Sequence, residues 1–165
     1  MGGSVGPPIG LAGSASENGD MRRIDAFVVG WLAVMVTVPV MAADMEVLKP
    51  RVPADQIAEA KTWANPFPAT DEHIEQGKAL FLGKAFCVTC HGRDGKGLAD
   101  VEGLRGRLPR NFTDKMWQAA RTDGELFWIL KNGSPGTDMA SFIPLILTED
   151  EAWHVVLYVR SFGEK

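Results

Sequence analysis

The residues most able to do chemistry lie in one short run, Cys87-Val88-Thr89-Cys90-His91. Two thiols three positions apart can each add across a vinyl group of haem, and the imidazole that follows can then bind the iron. The spacing matters because the vinyl groups are a fixed distance apart and the ligand must reach the centre of the macrocycle. The run therefore predicts one covalent haem c, with Cys87 and Cys90 as thioether links and His91 as an iron ligand.

Other uses of a Cys-x-x-Cys pair fit this chain less well. A thioredoxin-like redox pair needs a βαβ context, whereas this motif stands between a helical pattern and a glycine-rich loop. A zinc site needs two further ligands, and only His73 and His154 remain. We expect His73 to be solvated and His154 to be a surface or half-buried histidine, neither of them a ligand. A disulfide across two intervening residues has poor geometry.

A second iron ligand is predicted among the methionines that follow residue 42, which are Met45, Met116 and Met139. A neutral thioether stabilises ferrous over ferric iron and so raises the reduction potential, which suits an electron carrier. Met139 is preferred because it lies in the loop Gly133-Ser-Pro-Gly-Thr-Asp-Met139, where no helical period requires a core residue. Met116, in a polar run, is predicted to be an ordinary packing residue.

The elements that must position these residues are helices. Thr70 is a predicted N-cap, and the pairs Thr122/Glu125 and Thr148/Glu151 have the Thr-x-x-Glu spacing of a capping box. Each cap precedes apolar residues at helical spacing, and no stretch alternates convincingly with the period of two that a half-buried strand requires. The sequence therefore predicts an all-α fold.

The first 42 residues have the pattern of an export signal. Residues 1–20 are rich in Gly, Ser and Pro and are predicted to be a disordered extension or the product of a misplaced start codon. Residues 21–42 begin with two arginines, continue with a short apolar run and end in small residues. They are interpreted as a signal peptide, with an uncleaved membrane anchor as the alternative. Either predicts a periplasmic location, with membrane attachment only if residues 21–42 are retained.

Residues 43–69 form a proline-containing segment between the signal and the domain predicted over 70–165. One short helical stretch is expected inside it, from Ala54 to Ala64. We call the segment 43–69 the arm. It either lies against the domain or leads to it as a solvated linker, and the sequence leaves both alternatives open.

Composition excludes several classes of function. With 45% hydrophobic and 23% charged residues the chain is ordinary globular protein. Lys and Arg total 17 against 21 Asp and Glu, a net charge of −4, so no bulk attraction to nucleic acid or to an anionic membrane is expected. Two cysteines cannot make a disulfide-rich scaffold.

Residues 70–163 resemble the single-haem class I cytochromes c of the small bacterial type. The resemblance rests on Cys87-x-x-Cys90-His91 near the end of a first helix, on Met139 forty-eight positions later, and on a closing helix with an aromatic residue. It implies the class I cytochrome c fold, in which helices wrap around one covalently attached haem. In that family a glycine and an aromatic four apart on the first helix pack across the last helix, and Gly77, Phe81 and Tyr158 match them.

The same resemblance implies a second contact to the proximal histidine. The family carries a proline whose carbonyl accepts the other N–H of that imidazole, and Pro109 is the best match. The implied function is electron transfer, with iron cycling between Fe(III) and Fe(II), His91 and Met139 as axial ligands and no catalytic residue, so that the chain is not an enzyme. The implied partners are redox proteins that dock transiently.

Two other functions remain open. One is an open-site haem protein that binds or reacts with a small ligand, which requires Met139 not to bind iron. The other is a haem subunit of a larger respiratory oxidoreductase complex, for which the arm is the motivating feature.

Overall fold

A computed structural model describes residues 46–164 of the chain. Its helices are α1 (Ile57–Ala60), α2 (Asp71–Leu82), α3 (Val88–His91), α4 (Lys115–Ala120), α5 (Asp123–Asn132) and α6 (Glu149–Ser161), followed by a 3₁₀ turn over Phe162–Glu164. Within 46–164 no strand forms, and one isolated antiparallel bridge joins Gly106 and Thr137. The predicted all-α fold is confirmed.

The three predicted helix caps are present. The Thr70 hydroxyl accepts from the backbone N–H of the third residue of α2. Thr122 and Glu125 form a complete capping box at the start of α5, and Thr148 and Glu151 form another at the start of α6. These local hydrogen bonds satisfy backbone donors that would otherwise be unpaired. The three helices begin at the residues that the caps predict.

Helices α2 and α6 cross at Gly77. A Cβ at this position would lie 1.9 Å from the backbone oxygen of His154 and 3.1 Å from the Cβ of Tyr158. Beside the crossing the rings of Phe81 and Tyr158 meet edge to face, with centroids 5.2 Å apart. Only a residue without a side chain allows so close an approach, so the helix pairing expected from Gly77, Phe81 and Tyr158 is observed.

The arm packs onto the domain over its described part, residues 46–69. Val52 and Ala60 are buried against Trp128 of α5, and the indole N–H of Trp128 donates to the Gln56 side chain at 3.1 Å. A Cβ at Gly124 would lie only 1.9 Å from the carbonyl oxygen of Ala60. Of the two alternatives for the arm, this packing supports the one in which it lies against the domain. The helical stretch within it is shorter than expected, being the single turn α1.

The predictions for residues 1–20 and 21–42, and Met45, lie outside the described residues. Among residues 46–164, no helix has the length and apolar character needed to cross a membrane.

Candidate functional site

The Cys-x-x-Cys-His run forms a single helical turn directly after α2. Phe86, at φ 52°, is the only described residue other than glycine with positive φ, a conformation that costs free energy and that clusters at functional sites. From Cys87 the chain enters α3, where the His91 N–H donates to the Cys87 carbonyl at 2.9 Å. The helix ends at Gly92, at φ 72°. One turn therefore holds both free thiols and the imidazole together.

His91 is buried, with 7% of its surface exposed. Its ring stacks on Phe112 with a centroid distance of 4.4 Å and an interplanar angle of 19°. Burial lowers the pKa of His91 to about 4, although the Arg110 carbonyl opposes that shift. The imidazole is therefore neutral near pH 7, which is the state that binds a metal ion.

The carbonyl that faces the His91 ring belongs to Arg110, not to Pro109. The Nδ1 of His91 lies 3.3 Å from the Arg110 oxygen, so the partner expected from the resemblance is displaced by one residue. The Pro109 carbonyl turns toward Gly97, where an added Cβ would lie 2.7 Å from it. An Nδ1–H donated to the Arg110 carbonyl leaves Nε2 with the free lone pair that an iron ligand needs.

Two adjoining cavities bring the predicted residues together. The first contains about 670 Å³ of empty space, including the part open to solvent, and the second about 890 Å³. His91 and Met139 line both. All five predicted site residues line the second: Cys87, Cys90, His91, Pro109 and Met139. The shared lining makes one continuous region in which thiols, imidazole and thioether converge.

Met139 is held by a closed loop after α5. The N–H of Ser134 donates to the Met139 carbonyl at 2.8 Å. On the other side Gly136 approaches Gly106 so closely that a Cβ at Gly106 would lie 2.1 Å from the Gly136 oxygen. Asp138 accepts from the backbone and side chain of Arg105, which lowers the pKa of that carboxyl. Backbone and side-chain contacts therefore fix the loop that presents the thioether.

The competing ligand candidates lie elsewhere. Met116 is 60% exposed and lines neither cavity, so the expectation that it is a packing residue is wrong. His154 is buried against Phe67, with ring centroids 4.3 Å apart. His73 is half-buried and contacts the same two rings, so it is less solvated than expected. Among the described residues, no group of three or more His, Cys, Asp or Glu side chains could hold a metal ion.

A basic cluster lies on the wall of the first cavity, and the sequence did not predict this grouping because its members are spread over more than seventy positions. It consists of Lys49, Arg51, Arg110 and Arg121. The Nε atoms of Arg51 and Arg121, and the Oγ of Ser134 on the same wall, are buried without a hydrogen-bond partner among the described residues. Apolar side chains dominate the rest of that wall. A large apolar group with acidic substituents fits such a lining, which is the chemistry of haem and its two propionates.

Comparison with known proteins identifies relatives of this fold. A family model described as cytochrome c matches residues 74–163. A chain of the Kuenenia stuttgartiensis reducing HAO-like protein complex Kustc0457/Kustc0458 is 28% identical with a TM-score of 0.51. That alignment covers 59% of this chain and 46% of the other, so this chain spans about half the length of that relative. The KustC0563 c-type cytochrome is 37% identical over 52% of this chain and 95% of its own, with a TM-score of 0.44. No curated protein matches.

Proposed function

The chain belongs to the cytochrome c family, and from that premise we propose that it is an electron carrier and not an enzyme. The family binds haem c covalently, and one Cys-x-x-Cys-His run corresponds to one haem. Haem supplies a one-electron Fe(III)/Fe(II) couple. The observation that carries the proposal is the convergence of Cys87, Cys90, His91 and Met139 on one cavity.

Each residue has a defined role in the proposal. The Cys87 and Cys90 thiols form the thioether links, and the buried, neutral imidazole of His91 is the proximal ligand. The Arg110 carbonyl orients that ring through Nδ1. The Met139 thioether would be the second side chain to bind the iron, and the contacts of its loop hold it in place. If His91 and Met139 both bound the iron, the haem would supply electron exchange and would leave no iron position for a substrate, so the partners would be redox proteins that dock transiently.

Absorption spectroscopy and electrochemistry on the purified protein test this function. We expect one haem per chain that stays attached after denaturation, a reversible one-electron couple, and no spectral change when carbon monoxide is added to the reduced protein. Met139→Ala should bind carbon monoxide, and Met116→Ala, the matched control, should not. If the unmodified protein binds carbon monoxide readily, the iron is open and the function is ligand binding or catalysis.

A role within a larger redox complex is the second candidate. The similarity to a chain of a HAO-like protein complex, over about half of that chain, favours it, and so does an arm that packs on the domain outside residues 74–163. Co-purification from native membranes and soluble extract tests it. Recovery of the untagged protein only as a single chain would contradict complex membership.

We also propose that residues 21–42 export the chain to the periplasm. The N-terminal sequence of the mature protein tests this. Cleavage after Ala42 is the expected result, and a blocked or uncleaved N-terminus in a membrane fraction would support the anchor instead.

A further inference from the structure

The basic cluster joins the arm to the haem-binding domain. Lys49 and Arg51 come from the arm, while Arg110 and Arg121 come from the domain, and all four line the cavity that also contains His91. The residues of the arm lie outside the 74–163 range that the family model matches. The part of this wall that the arm contributes therefore lies outside the matched range.

The cluster has more positive than negative charge. Arg121 pairs with Glu125 at 2.9 Å, and both side chains are more than nine-tenths buried. Glu46 pairs with Lys49 and with Arg107 at the rim. Between residues 46 and 164, no Asp or Glu forms an ion pair with Arg51 or Arg110. Within the described part of the chain, two guanidinium groups thus remain without a carboxylate partner.

The electrostatic consequence is visible at Arg51. Burial, together with repulsion from Arg110 and Arg107, lowers the pKa of Arg51 to about 10. Half-buried cations that repel one another destabilise the protein unless an anion compensates them.

Arg51 of the arm is hydrogen-bonded to the domain, and Arg110 of the domain is hydrogen-bonded to the arm. An Nη2 of Arg51 donates to the Leu108 carbonyl at 2.8 Å, and an Nη2 of Arg110 donates to the Lys49 carbonyl at 3.2 Å. These bonds use only part of each guanidinium, which has five N–H donors. The buried Nε of Arg51 has no acceptor among the described residues.

We propose that the arm is a structural wall of the haem pocket, and that Arg51, together with Arg110, binds the two haem propionates. The inference rests on the proposed function, because it requires haem in this cavity. Two carboxylates would neutralise two otherwise unpaired guanidinium groups and supply the acceptors that they lack. The arm then acts on the iron as well as on the fold, because a positive charge beside the propionates disfavours the ferric state.

The test uses the full-length haem protein with Arg51→Gln, Arg51→Lys and the control Lys61→Gln, which removes the same charge from an exposed position in the arm. At a fixed solution potential, we expect the ratio of ferric to ferrous protein to be at least three times higher in Arg51→Gln than in the wild type. For a one-electron couple this corresponds to a reduction potential lower by about 28 mV. Arg51→Lys should recover most of this shift, and Lys61→Gln should have little effect. Resonance Raman spectra should show a changed propionate bending mode in Arg51→Gln, a smaller change in Arg51→Lys and none in Lys61→Gln.

Several outcomes would overturn the inference. An Arg51→Gln protein that is less stable, but matches Lys61→Gln in potential and in propionate mode, would show that Arg51 only braces the arm through Leu108. A wild-type potential that varies with phosphate concentration at constant ionic strength would show that a free anion occupies the cluster. If Arg51→Gln does not retain haem, an unchanged propionate mode in Arg51→Lys would equally refute the contact. Absence of covalent haem in the wild type would refute the proposed function itself.

Discussion

Replacement of Gly77 by alanine tests the helix crossing that forms one side of the haem-binding fold. The new Cβ would lie 1.9 Å from the His154 oxygen, whereas an ordinary contact needs at least 3.4 Å. Helices α2 and α6 would therefore have to separate by about 1.5 Å. The separation would loosen the contact between Phe81 and Tyr158, whose ring centroids are 5.2 Å apart.

The magnitude follows from two opposing effects. Overpacking of a well-packed contact costs about 1–3 kcal/mol, and this contact is with rigid backbone, so the upper end applies. Alanine in a helix gains about 1 kcal/mol over glycine. The expected net loss is about 2 kcal/mol, which lowers the Tm by about 8 °C for a protein of this size.

Denaturant and thermal unfolding of the haem-loaded protein measure this loss. Gln76→Ala is the matched control, because Gln76 is exposed on the same helix one residue away and should change stability by less than about 0.5 kcal/mol. A Gly77→Ala protein as stable as the wild type would refute the close crossing and the argument built on it.

Two further predictions concern the arm and the pH dependence of stability. Gly124→Ala should displace the arm, because its Cβ would lie 1.9 Å from the Ala60 oxygen. Limited proteolysis should then cleave residues 46–69 faster than in the wild type. An unchanged cleavage rate would contradict the packing of the arm on α5. Lys84 and the Thr148 cap lower the pKa of Glu151, so this carboxylate stabilises the fold above the pKa of the unfolded chain and the contribution is lost as pH falls. Urea unfolding from about pH 6 to about pH 3 should show a smaller acid loss in Glu151→Gln than in the wild type, whereas equal losses would exclude that role.

The parts of the structure that sequence predicted well are those set by local spacing. Thr70, Thr122 and Thr148 each act within three residues of themselves, so the helix starts follow from the sequence. The Cys-x-x-Cys-His run is likewise local, since one helical turn holds its three side chains together. Gly77 was identified through family resemblance, and the close approach of α6 gives its physical reason.

The parts that sequence did not predict depend on contacts between distant segments. Nothing local marks Arg51 as a neighbour of Arg110, and the arm looked as much like a linker as like a packed segment. The choice between Pro109 and Arg110 as the partner of His91 depends on which way two successive carbonyls turn. Both oxygens lie close to Gly97, where an added Cβ would be 2.7 Å from that of Pro109 and 3.2 Å from that of Arg110.

The central claim is that His91 and Met139 both bind the haem iron, and the ferric absorption spectrum in the red region tests it most directly. Sulfur-to-iron coordination gives a charge-transfer band there, which we predict for the wild type and for Met116→Ala but not for Met139→Ala. A wild-type spectrum without this band and with high-spin features, unaltered by Met139→Ala, would contradict the account and indicate an open iron.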